Sequence, residues 1–179
     1  MIFVGIDPGL KGAIAFLGDG AVPALVSMPV IKRLRGEGRD QIDMVGLRDL
    51  LQSWLPLGFG CFVTVERGQA LPPGMGGGVT NFARGYHRGI LEGLLVALRI
   101  PYQLVPPQTW QREMLQGAPA GDTGQRSIMA AQRLFPGVSL LRTPACRKAD
   151  DGLSDGLAEA LLLAEYGRRT HQGEHAQRA

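Results

Sequence analysis

The feature that most constrains this chain is a layout that occurs twice: a short apolar, β-branched run closed by a single carboxylate. Phe3-Val4-Gly5-Ile6-Asp7 is the first and Phe62-Val63-Thr64-Val65-Glu66 the second. Runs this short and this rich in Val, Ile and Phe read as buried strands. An acid at the end of such a strand is costly unless a cation or a donor meets it. Between the two, Met44, Leu47, Leu50, Leu51 and Leu55 recur at helical spacing, with Asp43 as N-cap and Pro56 as stop. A strand, a crossover helix and a parallel strand bring both acids to one sheet edge.

The other elements follow from similar patterns. Gly12–Leu17 returns directly after Leu10-Lys11 as a hairpin strand, Ala24–Met28 continues a meander, and Tyr102–Val105 is a further core strand. A long helix is expected from Thr80 to Leu98, with Phe82, Tyr86, Ile90, Leu94 and Ala97 as its apolar face and Arg84, His87 and Arg88 exposed. Gly85, Gly89 and Gly93 repeat along it. Each costs about 0.5–1 kcal/mol against alanine, which suggests close approach of another backbone, either the sheet beneath or a second subunit. Pro106-Pro107 opens a short helix over Thr109–Leu115. Asp122 caps a helix over Thr123–Phe135, expected to turn Ile128, Met129, Ala131, Leu134 and Phe135 inward and Arg126 and Arg133 outward.

The last helix, strongly apolar from Leu157 onward, carries Asp155 and Glu159 four residues apart and therefore on one face. Asp150, Asp151 and Ser154 are acceptable as plain caps, and Asp151 extends the acidic stripe if the helix starts early. Glu159 is poorly explained as a cap, because Ala158, Leu161 and Leu162 mark its surroundings as core. Beyond Arg168-Arg169 the sequence turns polar, so residues 1–169 read as one domain and 170–179 as a frayed polar tail.

Net charge is +3 and the pI about 9.2, which permits a nucleic-acid partner without requiring one. The basic residues cluster. Lys32, Arg33, Arg35 and Arg39 sit among glycines between Ile31 and Asp40, as a solvated loop or as an arm that touches phosphates. The Gly-rich stretch from Arg67 to Gly78, with Gln69 and Met75, is a substrate-gripping flap or a plain connector. Cys61 and Cys146 show no ligand-type spacing and are expected as reduced thiols. There is no basic leader before an apolar stretch and no apolar run near the ~20 residues that span a bilayer. A soluble, cytoplasmic protein with no membrane partner and no small-molecule cofactor is expected.

Asp7, Glu66, Asp155 and Glu159 come from separate elements, and gathered together their charges repel. An oxygen-only set suits hard divalent cations, above all Mg²⁺, with Mn²⁺ a plausible substitute. Two such ions ~3.5–4 Å apart support in-line displacement at phosphorus, the chemistry that cuts polynucleotide backbones.

These residues carry a resemblance. The Phe3–Gly9 strand and turn, the Val63–Glu66 strand end and the Gly156-Leu157-Ala158-Glu159-Ala160-Leu161-Leu162 helix are similar to the RuvC-type Holliday junction resolvases, notably phage-encoded members and the chloroplast resolvase. The resemblance runs from Met1 to about Arg169. It implies an α/β, RNase H-like fold with a mixed five-stranded sheet flanked by helices. It further implies a homodimer and Mg²⁺-dependent symmetric nicking of four-way DNA junctions. By position, Asp7 and Glu66 match the first two catalytic, metal-holding acids, Glu159 the acid of the final helix, and Asp155 the ligand before it. Bacterial members often space that last pair by three rather than four, which keeps Asp151 as a reserve ligand. They also place an aromatic wedge in the loop after the second acid, where this chain offers only Leu71 and Met75 before Phe82. Lys148 resembles a lysine that many relatives carry near the scissile phosphate. Lys32, Arg33, Arg35, Gln69, Met75, Arg84, Arg88 and Lys148 are the candidate DNA contacts. Two other readings stand beside this one: a different RNase H-like nuclease acting on RNA–DNA hybrids, and a non-catalytic junction-binding scaffold.

Overall fold

The structure, a computed structural model, describes residues 1–34, 40–55, 60–69, 77–141 and 152–178, the side chains as far as 172. Strands β1 (Ile2–Ile6), β2 (Ala13–Gly18), β3 (Ala24–Ser27), β4 (Val30–Ile31) and β5 (Gln41–Ile42) lead into helix α1 (Met44–Trp54). Then come β6 (Cys61–Glu66), α2 (Gly78–Ala97), β7 (Tyr102–Val105), α3 (Pro107–Met114), α4 (Thr123–Leu134) and α5 (Asp155–Arg178). The main sheet is five-stranded in the order β3-β2-β1-β6-β7, and β4 with β5 forms a separate ribbon. β1 pairs antiparallel with β2 and parallel with β6, so the sheet is mixed, as the sequence leads one to expect.

Alternation along the strands divides the core in two. Val4, Ile6, Ile14, Phe16, Val63 and Val65 face Leu47 and Leu51 of α1 and Leu91 and Leu95 of α2. Phe3, Ala13, Ala15 and Leu17 face the opposite layer, formed by α3, α4 and α5. That second face is paved with small residues, and this brings α5 close. A methyl group at Gly5 would collide with the α5 backbone at Ala160 and Ala164, and one at Gly167 with the Thr64 hydroxyl. α5 packs on β1, β2 and β6 together and against α4.

Three expectations are corrected. The buried stripe of α2 is His87, Leu91 and Leu95, whereas Phe82 is 75% and Tyr86 49% exposed. The two stripes lie one residue, or ~100°, apart on the helix, and only the half beyond His87 meets the sheet. Among the described residues nothing lies within 4 Å of a methyl group built at Gly85, Gly89 or Gly93, so the sheet does not approach that stripe. On α4, Met129 is exposed, while Ser127, Ala130 and Ala131 are buried. Finally, α5 does not end at Arg169. The Thr170 hydroxyl donates to the Tyr166 and Gly167 carbonyls, and the His171 ring packs against Phe3 and Phe62, which anchors residues expected to fray. No described helix is long and apolar enough to cross a membrane.

Candidate active site

Asp7 and Glu66 stand at the same level of the sheet because β1 and β6 pair in parallel with a constant offset, Ile6 opposite Val65. The first residue past each pair is an acid. Asp7 is held at its main chain by donation from its N–H to the Ala13 carbonyl, and the turn behind it closes through Gly12 N–H to the Gly9 carbonyl. On the Glu66 side, the Arg67 N–H donates to the Val105 carbonyl.

α5 brings the remaining pair. The Ser154 hydroxyl accepts from the Leu157 N–H and its own N–H donates to the Leu140 carbonyl, so Ser154 is the cap and fixes where the helix begins. Gly156 rests on the β1–β2 turn, with a built methyl 2.6 Å from the Lys11 carbonyl oxygen and 3.3 Å from Asp7 Oδ2. Asp155 and Glu159 therefore flank the point where the helix meets Asp7.

The electrostatics follow from this crowding. Burial, then the charges of Glu66 and Asp155, push the Asp7 carboxyl up to about 7, against donation from Gly9 and the Arg84 guanidinium. Burial raises Glu159 to about 8, reinforced by Asp7, Glu66 and Asp155 and opposed by the Ser127 hydroxyl, which donates to Glu159 Oε1 at 3.3 Å. Burial also raises Glu66, while the Trp110 indole N–H, donating to Oε2 at 2.9 Å, and Arg84 pull it down. All four acids thus belong to one electrostatic cluster.

They are not yet a coordination shell. Among the described residues, no three carboxylate, imidazole or thiol side chains stand close enough to share one ion. The Asp155 carboxylate is engaged on its own helix end: its Oδ1 accepts from the Gly156 N–H at 2.9 Å and its Oδ2 faces the first turn of α4, 3.3 Å from a methyl built at Gly124. The donor set, all oxygen and strained by mutual repulsion, fits a hard divalent cation.

A cleft of about 880 Å³ opens beside Asp7 and Glu66, between the β1–β2 turn with Lys11, the β4–β5 ribbon and the first half of α2. Of the candidate DNA contacts, Gln69, Arg84 and Arg88 line it. Arg84 is exposed and acts on both acids, but Arg88 is half-buried and ion-paired with Glu92, and His87 is buried, its pKa lowered by that burial. Lys32 is exposed and bound to Asp40 at 2.9 Å, and Arg33 also leans on Asp40 through its N–H. Arg35, Met75, Lys148 and the reserve acid Asp151 lie outside the described residues. Sequence reasoning missed Trp110 and Ser127, the donors that hold two of the acids. The pattern Trp110 within an otherwise polar Gln-Thr-Trp-Gln-Arg helix was the available signal.

The mixed five-stranded sheet flanked by helices, with acids gathered at one end of its central parallel pair, is an RNase H-like α/β fold. Solved structures share this fold. The structure of Thermus thermophilus RuvC aligns at a TM-score of 0.59 and 18% identity, over 95% of this chain and 97% of that one. A structure of T. thermophilus RuvC in complex with Holliday junction substrate aligns at 0.58 and 16% identity, over 96% of each chain. No protein-family model and no curated protein sequence matches the chain.

Proposed function

We propose that the chain is a divalent-cation-dependent endonuclease that resolves four-way DNA junctions by paired nicks, acting as a homodimer. The observation that carries this reading is the meeting of Asp7, Glu66, Asp155 and Glu159 from β1, β6 and α5, within a fold shared over nearly its whole length with RuvC. The existence of a RuvC complex with a Holliday junction supports the choice of substrate.

Bound Mg²⁺ or Mn²⁺ supplies Lewis-acid stabilisation of an in-line displacement at phosphorus. Asp7 and Glu66, fixed by strand pairing, are the rigid part of the cation site, and Glu159 is steadied by Ser127. Asp155 completes the set by releasing the Gly156 N–H. Arg84, already beside Asp7 and Glu66, is placed to hold a backbone phosphate over them, and Lys11 reaches the same cleft. Symmetric cuts need two such sites, hence the second subunit.

The test is one assay on a four-way junction, a linear duplex and an RNA–DNA hybrid, each with and without Mg²⁺. Paired nicks confined to the junction are expected. Asp7→Asn and Glu66→Gln should abolish cutting and leave junction binding intact. Cutting of the hybrid alone would replace this reading with another RNase H-like nuclease, and binding without cutting would replace it with a scaffold. Size-exclusion chromatography with light scattering checks the dimer.

A further inference from the structure

Trp110 is wholly buried, at 0% exposure, and sits in the α3–α5 core with Val105, Met114 and Leu115. An indole has one N–H donor and no acceptor. Phenylalanine would fill such a core without a polar atom to satisfy, so the N–H calls for a reason. Its partner is the carboxylate of Glu66, at Oε2 and 2.9 Å. A donor locked by packing on all sides cannot follow a rotating carboxylate; it can only restrict it. The same helix touches the acid's surroundings again, for Gln108 Oε1 accepts from Gln69 Nε2 at 3.2 Å.

We propose that Trp110 is a positioning residue for Glu66: its indole N–H claims Oε2 and so leaves Oε1 as the oxygen that would take a divalent cation. The inference rests on the nuclease reading above and adds a role for α3 that the acids alone do not require. Main-chain bonds at Arg67 and Gly68 set where Glu66 begins, and the indole sets where it ends.

The test uses the full-length protein and Mn²⁺ alone, without DNA. Mn²⁺ binding is measured by calorimetry or electron paramagnetic resonance for the wild type, Trp110→Phe, Glu66→Gln and the double variant. Trp110→Phe should weaken Mn²⁺ binding about 10–100-fold, in the range that outer partners of metal ligands command, and should have no further effect once Glu66 is Gln. Nicking by Trp110→Phe should recover at high Mg²⁺. A second readout needs no substitution at Trp110. The chain has two tryptophans, Trp54 and Trp110, so two indole N–H signals are expected in a nitrogen-15 spectrum. The Trp110 signal should shift on Mg²⁺ addition and in Glu66→Gln, while that of Trp54, stacked on Phe16, stays in place. Unchanged Mn²⁺ affinity in a folded Trp110→Phe, or an unmoved Trp110 signal in a wild type that binds Mg²⁺, would overturn this inference alone. A wild type that binds neither ion would overturn the nuclease reading together with it.

Discussion

Replacing Gly156 by alanine asks whether the acid cluster depends on how tightly α5 docks. A methyl carbon there stands 2.6 Å from the Lys11 carbonyl oxygen, 3.1 Å from the Gly12 Cα and 3.3 Å from Asp7 Oδ2. Ordinary contact begins at 3.4 Å, so helix and turn must part by about 0.8 Å. The nearest atoms are backbone, and the turn is closed by its own hydrogen bonds, so no flexible side chain absorbs the intrusion. Two effects oppose each other. Alanine improves on glycine in a helix by roughly 0.5–1 kcal/mol, whereas overpacking costs typically about 1–3 kcal/mol. The steric cost prevails, leaving a net loss of about 1–2 kcal/mol, or a fall in Tm of roughly 2–8 °C for a chain of this length. Cutting should suffer more than stability, by up to about 100-fold, because a misplacement near 1 Å disturbs the reacting geometry. Thermal melts and single-turnover nicking of a labelled junction measure the two separately. A variant that melts at or above the wild-type temperature and nicks at the wild-type rate would refute the argument that this contact sets the site.

The raised acids make metal-free stability depend on pH. Asp7 near 7 and Glu159 near 8 keep protons that the unfolded chain releases around pH 4, so stability falls as pH rises through 7 to 8. Melts between pH 6 and 8.5 should show this decline without Mg²⁺ and its reversal with Mg²⁺ at the upper end; a flat profile without metal contradicts the cluster. Asp155→Asn should slow nicking more than Asp151→Asn, and the opposite order in a rate comparison would move the fourth ligand to Asp151. Ser127→Ala removes the donor that pulls the Glu159 carboxyl down, so the acid limb of the pH–rate profile should move to higher pH while junction binding is unchanged, as initial rates and filter binding will show. Glu165 is buried and accepts from both Arg168 and Arg169, so Glu165→Gln should cost about 1–2 kcal/mol in a denaturant melt, modest because both arginines are partly exposed to solvent.

How much of this was legible in the residues depended on how local each cause was. The placement of Asp7 and Glu66 at one sheet edge was legible because strand alternation and the handedness of a crossover unit leave little choice about where two strand ends meet. The pairing of Asp155 with Glu159 needed only the helical repeat. Phe82 and Tyr86 misled because neighbouring helical stripes were both apolar, and periodicity alone does not say which one a sheet will cover. The docking of α5 was not read from Gly5, Ala13 and Ala15, since small residues announce a close approach only when their partner surface is known. Trp110 and Ser127 were missed for the same reason: each is a long-range partner whose significance exists only after α3 and α4 have packed. The continuation of α5 past Arg169 escaped notice because His171 gains its anchor from Phe3 and Phe62, far away in the chain.

The placement of α5 has a consequence for the protein's own synthesis. Half of the acid cluster arrives on the last helix, more than 140 residues after Asp7, and that helix also covers the small-residue face of β1 and β2. A nascent or truncated chain that stops short of Asp155 therefore holds two carboxylates and a bare apolar sheet. Such a chain lacks half of the acid cluster and exposes apolar surface that favours aggregation and proteolysis. On the nuclease reading proposed above, competence to cut would arise in a single late event, the settling of one helix.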